Sequence, residues 1–435
     1  MRKVFAFLIA VLFSVNALAM SFINDTEIES VVTEIIEPIA NAAGIAPSRL
    51  HVFIVKDDEF NAFVMGGEDV YLYTGLLSKI KNPNALRAVV AHEMGHMLGG
   101  HMVQMSAAIE AEMRRAMLIQ ALGVGLMVAG GNPSLGAGVM AGASGVARQS
   151  LLSFSRDEER MADEMGVNLM ARAGFNPDGF ISVFEQMHEM TAHMEKTVNP
   201  NGVNHPLTAE RLKNVRDKLA APEIKDKTFA GDDSAMIKKY EMVRAKLVGY
   251  LADNSKIKLA YPYTDKSDAA IYARAIANMR NGNLAGAAVG VRTLISRDSD
   301  NSFFYELLGD LEYAYGHYDA SCVAYEHAID LRPNSPQIET ALAIVLTARA
   351  GAQDKSRAIE LCKSAILQSP TPLAYWTLAR AYADDTGRAD WAMAEYYNLQ
   401  HQYDKAKEYA RRAKAYLIPE SPEYIKSDDI LKQKH

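Results

Sequence analysis

The helical stretch Ala91-His92-Glu93-Met94-Gly95-His96 constrains this chain more than any other feature. Its helix is predicted to begin at Asn82-Pro83, a good N-cap residue followed by a residue suited to the first helical position. Residues four apart lie one above the other, so His92 and His96 can present two imidazole nitrogens to one metal ion while Glu93 flanks the open side. The surrounding helix is apolar, and burying these polar side chains without partners would be costly. The stretch therefore predicts a zinc site of the H-E-x-x-H type.

A third ligand decides the class of zinc site. His101 suggests the metzincin pattern, in which a third histidine follows within the same local motif. That pattern needs a histidine at position 102, which is Met102. We therefore predict that His101 is either a surface residue or a residue that supports a ligand from behind.

The better candidate for the third ligand is Glu159. It lies on a second predicted helix, from about Arg156 to Ala173, which starts with a capping box. Glu159 and Asp163 fall on its small, apolar face, where burying two acidic side chains without partners would be costly. Glu159 as the third zinc ligand, with Asp163 hydrogen-bonded to a ligating imidazole, accounts for both. The alternative is that these acids pair with neighbouring arginines.

Ahead of the metal helix the sequence predicts a helix over Ile23–Gly44 and then a small sheet. Three short apolar runs with strand periodicity follow it, at His51–Val55, Ala62–Met65 and Val70–Tyr73, with a turn at Gly66-Gly67. The second of these strands is either an exposed edge, able to pair with an extended peptide, or simply one arm of a hairpin.

The N-terminus has the pattern of a targeting segment. Arg2-Lys3 precedes an apolar run over Val4–Val15, and Ala17-Leu18-Ala19 supplies the small residues read by signal peptidase. The alternative is a membrane anchor, but the run is shorter than the roughly 20 residues that span a bilayer. We predict a cleaved signal peptide over residues 1–19 and an exported, periplasmic protein.

A second apolar segment, Ala116–Val146, lies between the two ligand-bearing helices and contains no charged residue. Asn132-Pro133 divides it into stretches too short to cross a bilayer. A core hairpin, a mobile gate over the cleft and a peripheral membrane contact all stay open.

The C-terminal half carries helical repeats. Gly282 and Gly316 lie 34 residues apart, and the residues around them have tetratricopeptide spacing. Stacked helix pairs of this kind form a concave surface for peptides or partner proteins. The predicted domains are a protease domain over 20–221, a linker with a connecting helix over 222–266, a repeat domain over 267–420 and a tail over 421–435. Cys322 and Cys362, the two cysteines, fall on apolar helix faces and are predicted to be buried free thiols rather than a disulfide.

The formal net charge of −7 over 435 residues argues against nucleic acid as a partner, because neutralising phosphates needs a basic surface.

Several motifs resemble the HtpX and CAAX-prenyl peptidase family of gluzincin zinc metalloproteases. The most specific is S-R-x-x-E-x-x-A-D at Ser155–Asp163, which accompanies the H-E-x-x-H stretch. Asn61-Ala62-Phe63, Thr74-Gly75-Leu76-Leu77 and the H-P-x-x-x-x-R element from His205 to Arg211 also match. The resemblance covers roughly residues 24 to 220. With the signal peptide and the repeats, the chain is similar to the periplasmic BepA-like members.

The resemblance implies a mainly α fold, with an α+β zincin-type protease domain that contains a small sheet, followed by an α-solenoid of tetratricopeptide repeats. It also implies that His205 and Arg211 belong to the active site, in transition-state stabilisation, in contact with a substrate carboxylate, or in a self-inhibiting contact to zinc. The implied work is quality control of envelope proteins and docking to the outer-membrane assembly machinery.

Two hypotheses follow. In the first, one zinc ion held by His92, His96 and Glu159 activates water, Glu93 acts as general base, and the chain is an endopeptidase for protein substrates. In the second, the chain is a chaperone or scaffold whose protease site is inert or plugged by His205.

Overall fold

The computed structural model describes residues 21–101, 155–194, 205, 208–232 and 234–433. The predicted signal peptide and the apolar segment Ala116–Val146 lie outside these residues. The chain divides into two compact units, one of residues 1–24 and 29–241 and the other of residues 25–28 and 242–435. The predicted domain boundaries stay predictions. Within the described ranges, no helix is both long enough and apolar enough to span a bilayer.

A four-stranded sheet organises the first unit. Its strands are β1 (Phe22–Ile23), β2 (His51–Val55), β3 (Ala62–Met65) and β4 (Asp69–Tyr73), in the order β1-β2-β4-β3. β2 and β4 are parallel, whereas β3–β4 and β1–β2 are antiparallel. The three predicted strands are confirmed. β3 is both an arm of a hairpin with β4 and an edge of the described sheet, so the two interpretations of this strand are compatible.

The prediction of a helix from Ile23 was wrong by three residues, because Ile23 belongs to β1. A two-residue strand is too short to carry a periodic signal. The helix that follows, α1, begins at Thr26 and continues past Pro38. Its apolar side, with Ile35, Ile36 and Ile39, is fully buried.

The helices that lie wholly or largely in the first unit include those that carry the predicted site. These are α1 (Thr26–Ala42), α2 (Thr74–Lys79), α3 (Pro83–Leu98), α4 (Arg156–Arg172), α5 (Gly179–Met194), α6 (Ala209–Ala220) and α7 (Pro222–Lys225). The predicted starts of the two ligand helices are confirmed. The Asn82 side chain accepts from the backbone N–H of Ala85, and Ser155 with Glu158 forms a capping box.

The next helix, α8 (Ser234–Leu251), contains the boundary between the two units. The second unit continues with helices separated by short turns. They are α9 (Asn254–Ala260), α10 (Asp268–Arg280), α11 (Leu284–Arg297), α12 (Ser302–Tyr315), α13 (Tyr318–Leu331), α14 (Pro336–Arg349), α15 (Ala352–Gln368), α16 (Pro372–Ala381), α17 (Thr386–Leu399), α18 (Tyr403–Tyr416) and α19 (Pro422–Lys432).

Consecutive helices of the second unit pack against one another around buried alanines such as Ala358, Ala365 and Ala406. Gly316 ends α12 in the left-handed conformation (φ 80°), as the repeat pattern requires. Cys322 and Cys362 are free and buried, as predicted. The fold class predicted from sequence is confirmed: a mainly α chain with one small sheet and a C-terminal array of helix pairs.

Candidate metal centre

Close packing of α3 on α4 brings the predicted ligands together. Gly95 lies so near α4 that a Cβ there would sit 2.5 Å from the carbonyl oxygen of Ala162. A Cβ on Gly166 would in turn come within 3.1 Å of the Ala91 carbonyl. These two glycines therefore permit a backbone separation that larger residues would prevent. The close approach sets Glu159 opposite the two histidines of α3.

Four side chains converge on one point. His92 Nε2 lies 3.1 Å from His96 Nε2, and Glu159 Oε1 lies 3.4 Å from His96 Nε2. His205 completes the group, with Nδ1 placed 2.7 Å from Glu159 Oε1 and 3.4 Å from His92 Nε2. One ligand atom from each of the four residues lies within 4.8 Å of all the others. The four residues form the metal cluster.

The donor set and its spacing fit a zinc ion. Two ligands held at about 2.0–2.1 Å by a tetrahedral zinc ion lie roughly 3.3 Å apart, close to the separations between these imidazole and carboxylate atoms. The net charge of the site also favours a bound cation. With the histidines neutral, the buried carboxylates of Glu93, Glu159 and Asp163 against the single guanidinium of Arg211 leave a net charge of −2. A divalent cation would neutralise the site.

Asp163 lies behind His92. Its Oδ1 is 2.9 Å from His92 Nδ1, the ring nitrogen that points away from the metal cluster. Burial alone would raise the pKa of Asp163, but Arg211 and His92 outweigh burial and hold that pKa below its usual range. For His92, burial acts to lower the pKa, whereas the contacts with Asp163 and Glu159 raise it to about 9. The carboxylate of Asp163 thus fixes the His92 ring electrostatically.

Arg211, at the start of α6, holds both acids of α4. Its Nε and one terminal nitrogen each donate to Asp163 at 2.8 Å, and the other terminal nitrogen lies 2.5 Å from Glu159 Oε2. The backbone N–H of Arg211 donates to Thr208, the N-cap residue of its helix. The alternative in which Glu159 and Asp163 pair with neighbouring arginines on their own helix does not hold, since the arginine that they share comes from α6.

His96 has its own supporting contact. Its Nδ1 lies 3.0 Å from Nδ1 of His101, and both rings are only 1% exposed. Burial lowers the pKa of His96 to about 4. The prediction left two alternatives for His101, and the surface alternative is wrong: the ring is buried behind a predicted ligand.

Glu93 and His205 face each other at the mouth of the site. Glu93 Oε1 lies 3.6 Å from His205 Nε2, and residue Glu93 is 7% exposed. Burial raises the pKa of Glu93, while His205 and His92 partly offset that effect. A carboxylate whose pKa is raised accepts a proton more readily near neutral pH.

A cavity of about 500 Å³ opens beside Glu93 and His92. One wall is the strand side, with Asn61 and Ala62 at the start of β3. Another part of the lining is the apolar face of α5, which sequence reasoning missed. The helical spacing of the apolar residues on this face was the available signal, but that spacing does not show which cavity the face lines. The residues of this face that line the cavity are Phe180, Val183, Phe184, Met187 and Met190.

The structure therefore brings together all seven residues that the sequence singled out. Three predicted ligands, His92, His96 and Glu159, lie with His205 in the metal cluster. The other three surround them, with Glu93 beside the cavity and Asp163 and Arg211 behind the ligands.

Two family models match the chain. The model of peptidase family M48 matches residues 24–219, and that of the cytochrome c-type biogenesis protein H TPR domain matches residues 267–410. The beta-barrel assembly-enhancing protease of Escherichia coli (strain K12) is 25% identical over 320 residues, which cover 72% of this chain and 63% of that protein. The protein of the same name from Yersinia pestis is 24% identical over 314 residues, 70% of this chain and 62% of that protein.

A shorter relative matches the first unit. Metalloprotease LoiP of Escherichia coli (strain K12) is 29% identical over 193 residues, 43% of this chain and 70% of that protein. The chain thus spans somewhat less than two thirds of the beta-barrel assembly-enhancing proteases that it matches. Zinc is the metal that M48 peptidases use, and the metal cluster is positioned to hold it. Residues 24–219 are a peptidase family M48 domain, and a C-terminal tetratricopeptide-repeat domain follows them.

Proposed function

We propose that the chain is a zinc-dependent endopeptidase that hydrolyses peptide bonds of protein substrates. One observation carries the proposal: the ligand atoms of His92, His96 and Glu159 converge beside Glu93 at one end of a cavity. A metal-binding protein without catalysis would need no buried carboxylate next to its ligands. The assignment of these three residues as ligands and of Glu93 as general base is part of the proposal.

In this mechanism His92, His96 and Glu159 would hold the ion. Bound zinc supplies a Lewis acid that polarises the scissile carbonyl and lowers the pKa of water. Glu93 accepts the proton of the attacking water and passes it to the leaving amine nitrogen, so no covalent intermediate with the protein forms. Asp163 and Arg211 keep the His92 ring and the Glu159 carboxylate in place during the reaction.

The substrate is proposed to bind as an extended segment along β3. This strand is an edge of the described sheet, and its first residue, Ala62, lines the cavity together with His92 and Glu93. The free side of an edge strand offers backbone donors and acceptors to a peptide of any sequence. Such binding suits an enzyme for misfolded or stalled proteins, which expose extended backbone.

The place of action proposed for the chain is the periplasm, with envelope proteins as substrates. The N-terminal pattern over residues 1–19 supports export. Relatives named beta-barrel assembly-enhancing protease support a role with outer-membrane proteins and their assembly machinery. In this proposal the repeat domain docks substrates or partner proteins, since stacked helix pairs offer extended binding surfaces.

The test is cleavage of an unfolded protein by the purified mature chain, with bound zinc measured in parallel. Loss of a general base typically lowers the rate by a factor of about 10²–10⁴. Glu93→Gln is therefore expected to retain zinc and to lose cleavage by such a factor. Equal cleavage by wild type and Glu93→Gln would contradict the mechanism.

A second candidate function rests on the position of His205. Its Nδ1 lies in the metal cluster, where it would take the place that water needs. In that arrangement the chain would act as a chaperone or scaffold with a plugged protease site. His205→Ala distinguishes the two: faster cleavage by this variant indicates a plug, and slower cleavage indicates that His205 assists the reaction.

A further inference from the structure

We propose that His101 is a positioning residue for the metal cluster, which fixes the ring of His96 so that Nε2 faces the ion. This inference rests on the proposed function, since it concerns how the chain prepares one of the ligands. His101 carries no ligand atom in the metal cluster. Its effect is therefore exerted through His96.

The direction of the hydrogen bond between these two residues follows from the geometry. His96 Nε2 faces the metal cluster, 3.1 Å from His92 Nε2 and 3.4 Å from Glu159 Oε1. A ring nitrogen that binds a metal carries no proton, so the proton of the neutral His96 ring must be on Nδ1. Nδ1 of His96 then donates to Nδ1 of His101 across 3.0 Å. The His101 ring accepts this bond in the tautomer that carries its own proton on Nε2.

The end of α3 is built to place His101 there. Gly99 caps the helix with φ −71° and ψ −7°, and Gly100 follows with φ +70°, a left-handed conformation that side chains other than glycine rarely adopt. This turn brings His101 back against the last turn of its own helix. A Cβ on Gly99 would lie 2.5 Å from His101 Nε2. The bare Cα of Gly99 therefore leaves the space that the imidazole fills.

The two ligands of α3 are thus held in different ways. Asp163 supports His92 with a negative charge at 2.9 Å, whereas a second imidazole supports His96. The rings of His96 and His101 are 5.1 Å apart and inclined at 74°, so they meet edge to face. Both are buried, where rotation of His96 would leave its Nδ1 proton without an acceptor and cost free energy.

Three variants test the role without touching a ligand. His101→Phe keeps a ring of similar size but removes the acceptor, and His101→Ala removes both. Gly99→Ala keeps the His101 side chain but its Cβ would occupy the space of the ring and force the ring out of its present position. The backbone conformation of Gly99 is one that alanine adopts freely. His51→Ala, which removes an exposed histidine paired with Asp69, is the control.

The primary readout is zinc affinity, measured by competition with a chelator of known affinity. Loss of such an outer contact typically lowers metal affinity by about 10–100-fold. We expect this loss in all three variants and no change in the control. Thermal unfolding of the zinc-free proteins separates the positioning role from a folding role. If His101→Phe does not fold, Gly99→Ala decides between the two roles, because it removes no polar group from the site.

Zinc affinity within about twofold of wild type in both His101→Phe and Gly99→Ala would overturn the inference. A nitrogen NMR spectrum of the zinc-loaded wild type that placed the metal on Nδ1 of His96 would also overturn it. These results leave the proposed function intact as long as the wild type binds zinc. A wild type that binds no zinc would refute the proposed function instead.

Discussion

Two clusters of polar side chains, one in each unit, place their acids in opposite settings. In the first unit, Glu159 turns a carboxylate oxygen toward three imidazole nitrogens in the metal cluster. In the second unit, Lys246 of α8 lies 2.8 Å from Asp25, 3.1 Å from Glu27 and 3.4 Å from Glu306. We call these four residues the lysine cluster. The metal cluster brings together nitrogen and oxygen atoms whose lone pairs can bind a metal ion. The lysine cluster already has an ammonium group among its carboxylates.

The pKa values of the acids in the two clusters differ accordingly. Interactions with histidines hold the pKa of Glu159 well below its usual range, despite burial that would raise it. In the lysine cluster, burial and neighbouring acids raise the pKa of Glu306 to about 8, although Lys246 opposes them. Burial also raises the pKa of Glu27, whose Oε2 accepts from the Tyr272 hydroxyl at 2.8 Å.

Buried acids therefore do not by themselves identify a metal site. The arrangement of donors and lone pairs does. The metal cluster needs a cation from solution, whereas the lysine cluster is held together by a cation that belongs to the chain. This difference predicts opposite responses to substitution, which the following variants measure.

Glu159→Ala is expected to have the largest effect. It removes one of three proposed ligands, and structural zinc sites bind with about 10–16 kcal/mol at pH 7. Losing a third of that free energy weakens zinc binding by roughly 250-fold to 8,000-fold. Chelator competition measures the change. Full zinc retention by Glu159→Ala would show that another residue is the third ligand.

Lys246→Met is expected to affect stability and leave zinc alone. It leaves Asp25, Glu27 and Glu306 without their shared cation, and removing one partner of a buried ion pair costs about 3–5 kcal/mol. We expect one thermal unfolding transition to move down while zinc content stays at the wild-type value. Loss of zinc in this variant would mean that the two clusters are not independent.

Asp163→Asn is expected to weaken zinc binding by about 10–100-fold, the range found for partners of ligating histidines. The amide can still accept from His92 Nδ1 but no longer pairs ionically with Arg211. Zinc titration measures the effect, and an unchanged affinity would show that Arg211 alone holds the ligands in place.

Glu306→Gln is expected to have the smallest effect, visible in the pH dependence of unfolding. The pKa of Glu306 rises from 4.5 in the unfolded chain to about 8 in the folded one. The folded state therefore binds this proton more tightly, so its stabilising effect is complete below pH 4.5 and is lost as the pH rises to about 8.

The glutamine has no such proton to lose. Between pH 5 and pH 8 we expect the transition that Lys246→Met lowers to fall by a few degrees in wild type and by less in Glu306→Gln. Parallel pH curves for the two proteins would contradict this account of Glu306.

Much of the metal cluster could be predicted because its signals are local. His92 and His96 lie one turn apart, and Glu159 with Asp163 stands out as two acids on an apolar helix face. His205 was reached only through resemblance, because a single His-Pro pair before a helix has no chemical signature of its own. Its placement depends on the packing of α6 against α4.

Other features depend on tertiary contacts that no local pattern contains. The buried position of His101 follows from a turn at two glycines, which also fits an ordinary helix end. The partners of Lys246 include Asp25 and Glu27, more than 200 residues away in the sequence, so the lysine cluster could not be foreseen. The same holds for the face of α5, whose spacing predicts a buried side but not the cavity that it lines.

The most direct test of the difference between the clusters is crystallography of the zinc-loaded protein at the zinc absorption edge. The account predicts one anomalous peak per chain, bonded to His92 Nε2, His96 Nε2 and Glu159, and none among the carboxylates around Lys246. An absent peak at the metal cluster, or a zinc ion bound instead in the lysine cluster, would contradict it.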